Sequence, residues 1–179
     1  MLVSTAACAN GGVARHEPSQ LVIARLSEPV SLDPLYLQGP DASDISALLF
    51  SSLTRYDAKN RIVPDVASAV PSISNGGIAA DGRHIVYRLR RDVRWQDGYP
   101  LTARDVVFTY RASVDPANAI PAQSGYAAVS NVSAPNRYEV DVTLKRPYAP
   151  IVATFFGGDG RPILPAHVLE KYRNLNAVP

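Results

Sequence analysis

Three histidines, one cysteine and a cluster of arginines are the residues of this chain with the most chemistry to offer, and their spacing argues against catalysis. His16, His84 and His167 stand far apart, and neither H-x-x-x-H nor H-E-x-x-H occurs, so no pair lies one helical turn apart as a zinc site needs. His84 opens a strand and His167 a helix, which suits ordinary surface or capping histidines. Gly157-Gly158-Asp159-Gly160-Arg161 is glycine-rich but lacks the lysine and hydroxyl spacing that cradles phosphates, and reads as a loop. Serine, histidine and aspartate are all present, yet no G-x-S-x-G elbow makes one serine a nucleophile. A single cysteine excludes an intrachain disulfide and any cysteine-based zinc cluster. Arg88, Arg90, Arg91 and Arg94 read as solvated faces of a strand and turn. With 18 basic against 16 acidic residues, nothing in the charge pattern points to nucleic acid.

The elements that would position any such groups are clearest between Asp81 and Pro116. An Asp81-Gly82 turn leads into a segment where Ile85, Tyr87 and Leu89 alternate with Val86, Arg88 and Arg90, the period of a half-buried strand. A second turn at Asp97-Gly98 follows the lone Trp95. Pro100 and Thr102 then open a segment with apolar residues at 106, 107, 110 and 114, which is helical spacing. Thr102 and Asp105 have the spacing of a capping box, in which each side chain satisfies a backbone N–H left free by the first turn. Trp95, Tyr87 and Leu89 read as core, because aromatic side chains gain most from burial.

Around this centre the chain alternates between folded and connecting grammar. Residues 9–20 suit a tether, Leu21–Leu26 a strand, and Pro29 and Pro34 hold the next passage extended or turning. Ile45, Leu48, Leu49 and Leu53 fall at helical spacing behind Asp41 and Ser43 as N-caps, predicting a helix with one face turned inward. Residues 53–56 and 61–63 flank Asp57-Ala58-Lys59-Asn60 as a hairpin. Pro64–Ala69 reads as a single helical turn with Asp65 at its start, where the helix dipole favours an acid. Asp115–Gly125 reads as a surface loop. Tyr138, Val140, Val142 and Leu144 alternate with Glu139, Asp141, Thr143 and Lys145, and Val129–Ala134 joins them through Pro135-Asn136, a hairpin with one wet face. Pro147–Phe156 reads as a short buried helix stopped by Gly157-Gly158. At 179 residues with 46% hydrophobic and 19% charged, the chain is a folded one, and no apolar run approaches the length that spans a bilayer.

The Asp81-Gly82 turn, Y-R-L-R, V-R-W-Q-D-G-Y-P-L-T-A-R-D-V-V-F-T-Y and the closing Asp115-Pro116 together resemble the signature of family 5 extracytoplasmic solute-binding proteins. These are the oligopeptide- and dipeptide-binding components of ABC importers. The L-x-x-x-D turn at 53–57, P-D-V-A at 64–67 and I-L-P-x-H-x-L-E-K-Y at 163–172 resemble further family passages.

The resemblance implies an α+β (mixed α/β) fold of the periplasmic-binding-protein-like class II, here its N-terminal portion. It divides the chain into a signal or lipoprotein remnant and tether (1–20), the first strand and loop of lobe I (21–40), a small inserted α+β domain (41–160) and a return to lobe I (161–179). It implies no reaction and no cofactor. The implied partners are a peptide or other small solute and the membrane's ABC permease subunits, with no nucleic acid and a monomeric state. The passage Ser27–Pro34 corresponds to a cleft-lining segment along which a bound peptide runs as an added strand. By that resemblance Glu28, Val30 and Ser31 are candidate ligand contacts and Asp33-Pro34 a structural turn. Taken alone, Glu28 reads as a surface carboxylate. Tyr126 stands where an aromatic residue after the Asp-Pro loop reaches the cleft; taken alone it reads as a half-buried tyrosine.

Cys8, in M-L-V-S-T-A-A-C-A-N-G-G, looks like the end of a secretory signal at a lipobox, although Thr5 stands where such boxes favour leucine. Lipidation at Cys8, cleavage after Ala7-Cys8-Ala9 and a cytosolic stub are the three alternatives. The first two place the protein in the periplasm or another extracytoplasmic space, lipid-anchored in the first case. A fragment of this plan is not expected to bind ligand alone, because half a cleft lacks enclosure. A truncated remnant or interaction module without solute binding is the alternative, and an enzyme the least supported reading.

Overall fold

A computed structural model describes residues 34–36, 40–121, 125–157, 162–172, 174 and 175, with backbone alone at 40–44. The elements run α1 (Pro40–Leu49), β1 (Thr54–Tyr56), β2 (Ile62–Pro64), β3 (His84–Arg88), α2 (Ala103–Val114), β4 (Val129–Asn136), β5 (Glu139–Leu144), α3 (Ile151–Thr154) and α4 (Ala166–Leu169). Short 3-10 turns at Pro116–Asn118 and Tyr126–Ala128 flank the loop after α2.

The sheet at the centre is antiparallel, in the order β3-β5-β4. Its register pairs Ile85 with Val142 and Tyr87 with Val140, and Val132 with Val142 on the other side. Alternation therefore puts Ile85, Tyr87, Val132, Val140, Val142 and Leu144 on one buried face. Val106 and Val107 of α2, Trp95, Leu101 and the aromatic pair Phe155–Phe156 complete this core. The strand, hairpin and helix expected from the sequence are all present, and Trp95 is buried at 8% exposure. β1 and β2 form the expected separate hairpin, with Tyr56 opposite Ile62. Its turn is held by Asp57, whose carboxylate accepts from the Lys59 and Arg61 amides at 2.8 and 2.9 Å.

The structure departs from the sequence reading at four places. Pro64–Ala69 is no helical turn: the Asp65 and Ala67 amides donate to Leu53 O, the Val66 amide donates to Ser52 O, and Ala67 bridges Leu89. Asp65, instead of facing a helix dipole, accepts from the Ser52 amide at 3.0 Å. The segment is extended because its donors meet carbonyls on a neighbouring passage, which outcompetes a lone turn closing on itself. α1 begins at Pro40, so Asp41 and Ser43 lie within its first turn and not at its cap. The helix ends at Leu49, and Leu48 and Leu49 are 65% and 43% exposed where an inward face was expected; Leu53, beyond the helix, is the buried one. α3 spans only 151–154, and Phe156, at φ 46°, takes the left-handed backbone ahead of the glycines. Gly157 is needed for a different reason, since a Cβ there would lie 2.2 Å from Val152 O and 2.6 Å from Thr54 Oγ1. Finally, the loop after α2 is not wholly superficial, because Asn118 is buried within it.

The tether at 9–20 and the strand at 21–26 lie outside the described residues.

Candidate functional site

The polar chemistry of the described residues gathers where residues 162–175 come back against α2. Thr102 starts the helix, and its amide donates to Asp105 Oδ2 at 2.8 Å while its hydroxyl donates to the same oxygen at 3.1 Å. The capping box read from the sequence is present. Its acid does more than cap: Asp105 Oδ1 accepts from the Ala166 amide at 2.9 Å. One turn on, the Thr109 hydroxyl accepts from the Leu164 amide at 2.9 Å and donates to Asp105 O at 2.7 Å. Beyond the helix, Asn118 Oδ1 accepts from the Leu175 amide at 2.9 Å, and its Nδ2 donates to Ala112 O at 2.9 Å. Asp105, Thr109 and Asn118 are all buried, so each bond is shielded from water and costly to break. Arg104 adds an ion pair to Glu170 at the surface of the same seam.

Leu164 and Leu175 pack with Leu35 and Ala112 into a small apolar cluster separate from the main core. The seam is thus a polar row of side chains on and after α2 with an apolar strip beside it.

Next to it lies a cleft of about 290 Å³ lined by Tyr99, Arg104, Arg137 and His167 among others. His167 Nε2 lies 2.7 Å from Asp97 Oδ2, and its ring stacks on Tyr99 with centroids 4.4 Å apart and planes 10° from parallel. The hydrogen bond from His167 and, secondarily, that from the Tyr99 amide hold the Asp97 carboxyl below its usual range. Nothing in the spacing of Asp97 and His167, 70 residues apart, gave this pair away.

Of the sequence-predicted site residues, Tyr126 alone lies among the described ones. Its ring is 6% exposed, with the rings of Tyr110, Phe155 and Phe156 at 5.7, 5.6 and 5.7 Å. It is therefore more deeply buried than the half-buried tyrosine read from sequence, one member of an aromatic cluster. Glu28, Val30, Ser31 and Cys8 lie outside the described residues. Among the described residues no group of histidine, cysteine and carboxylate side chains is placed to hold a metal ion, and no helix is long and apolar enough to cross a membrane.

Comparison with known proteins puts this arrangement in context. The chain is 38% identical over 151 residues to protein XP55 of Streptomyces lividans, covering 84% of the chain and 26% of that protein. It is 36% identical over 119 residues to the periplasmic oligopeptide-binding protein OppA of Escherichia coli, covering 66% of the chain and 21% of that protein. Among solved structures, Haemophilus influenzae OppA in complex with the peptide RPPGFSPFR superposes with a TM-score of 0.71 at 28% identity, over 81% of this chain and 30% of that one. The chain thus spans about a quarter of the length of the curated relatives it matches. The family of bacterial extracellular solute-binding proteins is one of transport binding proteins, not enzymes, and its mixed α/β architecture is the one described above. Residues 61–174, which hold the central sheet, α2 and the seam, match the model for the middle of these proteins, so the chain belongs to the bacterial extracellular solute-binding proteins, family 5.

Proposed function

We propose that this chain is the N-terminal portion of the substrate-binding component of an ABC importer, and that its solute is a peptide. The observation that carries the reading is the family match over residues 61–174. Peptide is favoured because the relatives include OppA of Escherichia coli, named for oligopeptide binding, and the superposed Haemophilus influenzae protein holds a nonameric peptide.

In this reading residues 41–160 form the small inserted domain, while 21–40 and 161–179 belong to the lobe into which it is inserted. The ligand contacts are Glu28, Val30 and Ser31, with Tyr126 reaching the ligand by little more than a ring edge given its burial. The protein works outside the cytoplasmic membrane, anchored through lipidated Cys8, as a monomer that hands its solute to permease subunits. The 179-residue chain alone presents one wall of a cleft and does not retain peptide, because small-ligand sites depend on enclosure.

Isothermal titration with a mixed-length peptide library tests this. The expected result is no saturable heat with the 179-residue chain and saturable binding once the chain is extended to the length of its relatives. Micromolar binding by the short chain would overturn the one-wall assignment, and an extended protein that binds no peptide would overturn the choice of solute.

A further inference from the structure

We propose that the cleft beside the start of α2 is a binding site for a small organic acid, a carboxylate carried on a planar apolar body. Three carboxylates surround the cleft, and each is already engaged at both oxygens. Asp97 accepts from the Tyr99 amide at 3.0 Å through Oδ1, and its Oδ2 faces His167 Nε2 at 2.7 Å. Asp105 accepts from the Thr102 amide through one oxygen and from the Ala166 amide through the other. Glu170 receives the Arg104 guanidinium on both of its oxygens. The Asn136 side-chain oxygen is occupied as well, accepting from the Tyr138 amide at 2.9 Å.

What the cleft has left over is donors. Arg137 lines it and makes no ion pair among the described residues. Its guanidinium lies 5.7 Å from the centroid of the Tyr138 ring, and Arg91 lies 5.4 Å from the same ring, so two cations gather there with no carboxylate bound to either. The bond to the Tyr138 amide fixes which end of the Asn136 amide is the oxygen, and its NH2 group is then a further donor without a partner among the described residues. The β4–β5 turn that carries both residues is held in place, since the Ala103 amide donates to Arg137 O at 2.9 Å and the Leu89 amide to Tyr138 O at 2.8 Å. The Thr102, Ala103 and Asp105 amides at the start of α2 are all bonded already. Side chains, and not the helix end, therefore supply the attraction for an anion. A guanidinium without a partner matches a carboxylate with two parallel hydrogen bonds.

The rest of the lining is apolar and sets the body of the ligand. Tyr99, Pro100 and Ala134 lie in the wall of this cleft of about 290 Å³. Tyr99 is stacked on His167, which fixes the plane of its ring, yet it remains 58% exposed. A planar group laid against that ring would cover apolar surface that the described residues leave open. A simple acid suits the cleft better than an amino acid, because an added ammonium group would find no carboxylate uncommitted. The site uses residues other than the proposed peptide contacts and does not rest on them.

Proton–nitrogen correlation NMR of the 179-residue chain, titrated with phenylacetate, tests the proposal. The Tyr99, Asn136 and Arg137 amides should shift and saturate, with a dissociation constant of roughly millimolar order for so small a ligand. Acetate has the charge without the ring, 2-phenylethanol has the ring without the charge, and phenylalanine adds the ammonium group; each should bind several-fold more weakly. Arg137→Gln, which keeps the backbone bond to Ala103 and removes the cation, should weaken phenylacetate by about tenfold or more. Arg137→Lys, with the charge but not the fork, should fall between the two. Arg88→Gln, on β3, should leave the affinity unchanged. An absence of saturable shifts, or full affinity in Arg137→Gln, would overturn the site. Equal binding of acetate, 2-phenylethanol or phenylalanine would overturn the class of ligand assigned to it.

Discussion

Asp105 and Ala166, 61 residues apart, are joined by a 2.9 Å hydrogen bond from the Ala166 amide to the carboxylate that also caps α2. Helix initiation and docking of the returning segment thus share one buried side chain. Asp105→Ala should leave the Thr102 and Ala166 amides without acceptors, at about 1–3 kcal/mol each. Asp105→Asn should lose less, because its one carbonyl oxygen can serve one of the two. Urea denaturation of both variants at neutral pH checks the order; equal stability of Asp105→Ala and the parent would mean the shared role is wrong.

Tyr87 is fully buried in the sheet face, and its hydroxyl has no hydrogen-bond partner among the described residues. An unmet buried hydroxyl costs stability, so Tyr87→Phe should be neutral or up to about 1 kcal/mol more stable at pH 7. Burial also pushes the phenol well above its ordinary value. The folded protein therefore holds this proton more tightly than the unfolded chain. Its contribution is intact below the ordinary phenol range and falls away as pH rises beyond about 10. Melting curves should show the advantage of Tyr87→Phe widening in that alkaline range; a constant gap would count against burial as the cause.

Trp95 packs in the main core with its indole Nε1 lacking a partner among the described residues. Trp95→Ala should cost about 3–5 kcal/mol, the usual range for emptying a large aromatic site. Trp95→Phe should cost much less, because it keeps most of the apolar contact and removes the stranded donor. Thermal melts of the pair separate these outcomes, and an unchanged transition in Trp95→Ala would remove the residue from the core.

Tyr126 distinguishes scaffold from contact surface. Its three ring neighbours predict that Tyr126→Ala costs about 3–5 kcal/mol, whereas Tyr126→Phe keeps the packing. Guanidinium titrations measure this. A Tyr126→Ala variant as stable as the parent would show that the ring contributes nothing to the cluster and is free for another role.

What could be read from the sequence was local or periodic. The alternation of Ile85, Tyr87 and Leu89, the Thr102–Asp105 cap and the β4–β5 hairpin each express themselves within a few residues, and each appears in the structure. The reading failed where a segment's fate depends on a distant partner. Nothing within Pro64–Ala69 reveals that its amides meet carbonyls at 52 and 53. Nothing near Leu48 and Leu49 reveals that these two leucines of α1 stay exposed. The Asp97–His167 pair and the second bond of Asp105 were hidden for the same reason, because long-range pairing leaves no period in the chain. The family motif identified the scaffold because its residues are contiguous.

The hydrogen bonds at the foot of the β-rich unit have a mechanical meaning. The Leu53 and Thr54 amides both donate to Phe156 O, and the Ile163 amide donates to Ser51 O. Tension applied along the backbone through residues 51 and 163 would pass across these few bonds directly. The sheet, α2 and the aromatic cluster would hang beside the line of force and carry little of it until that clip gives way.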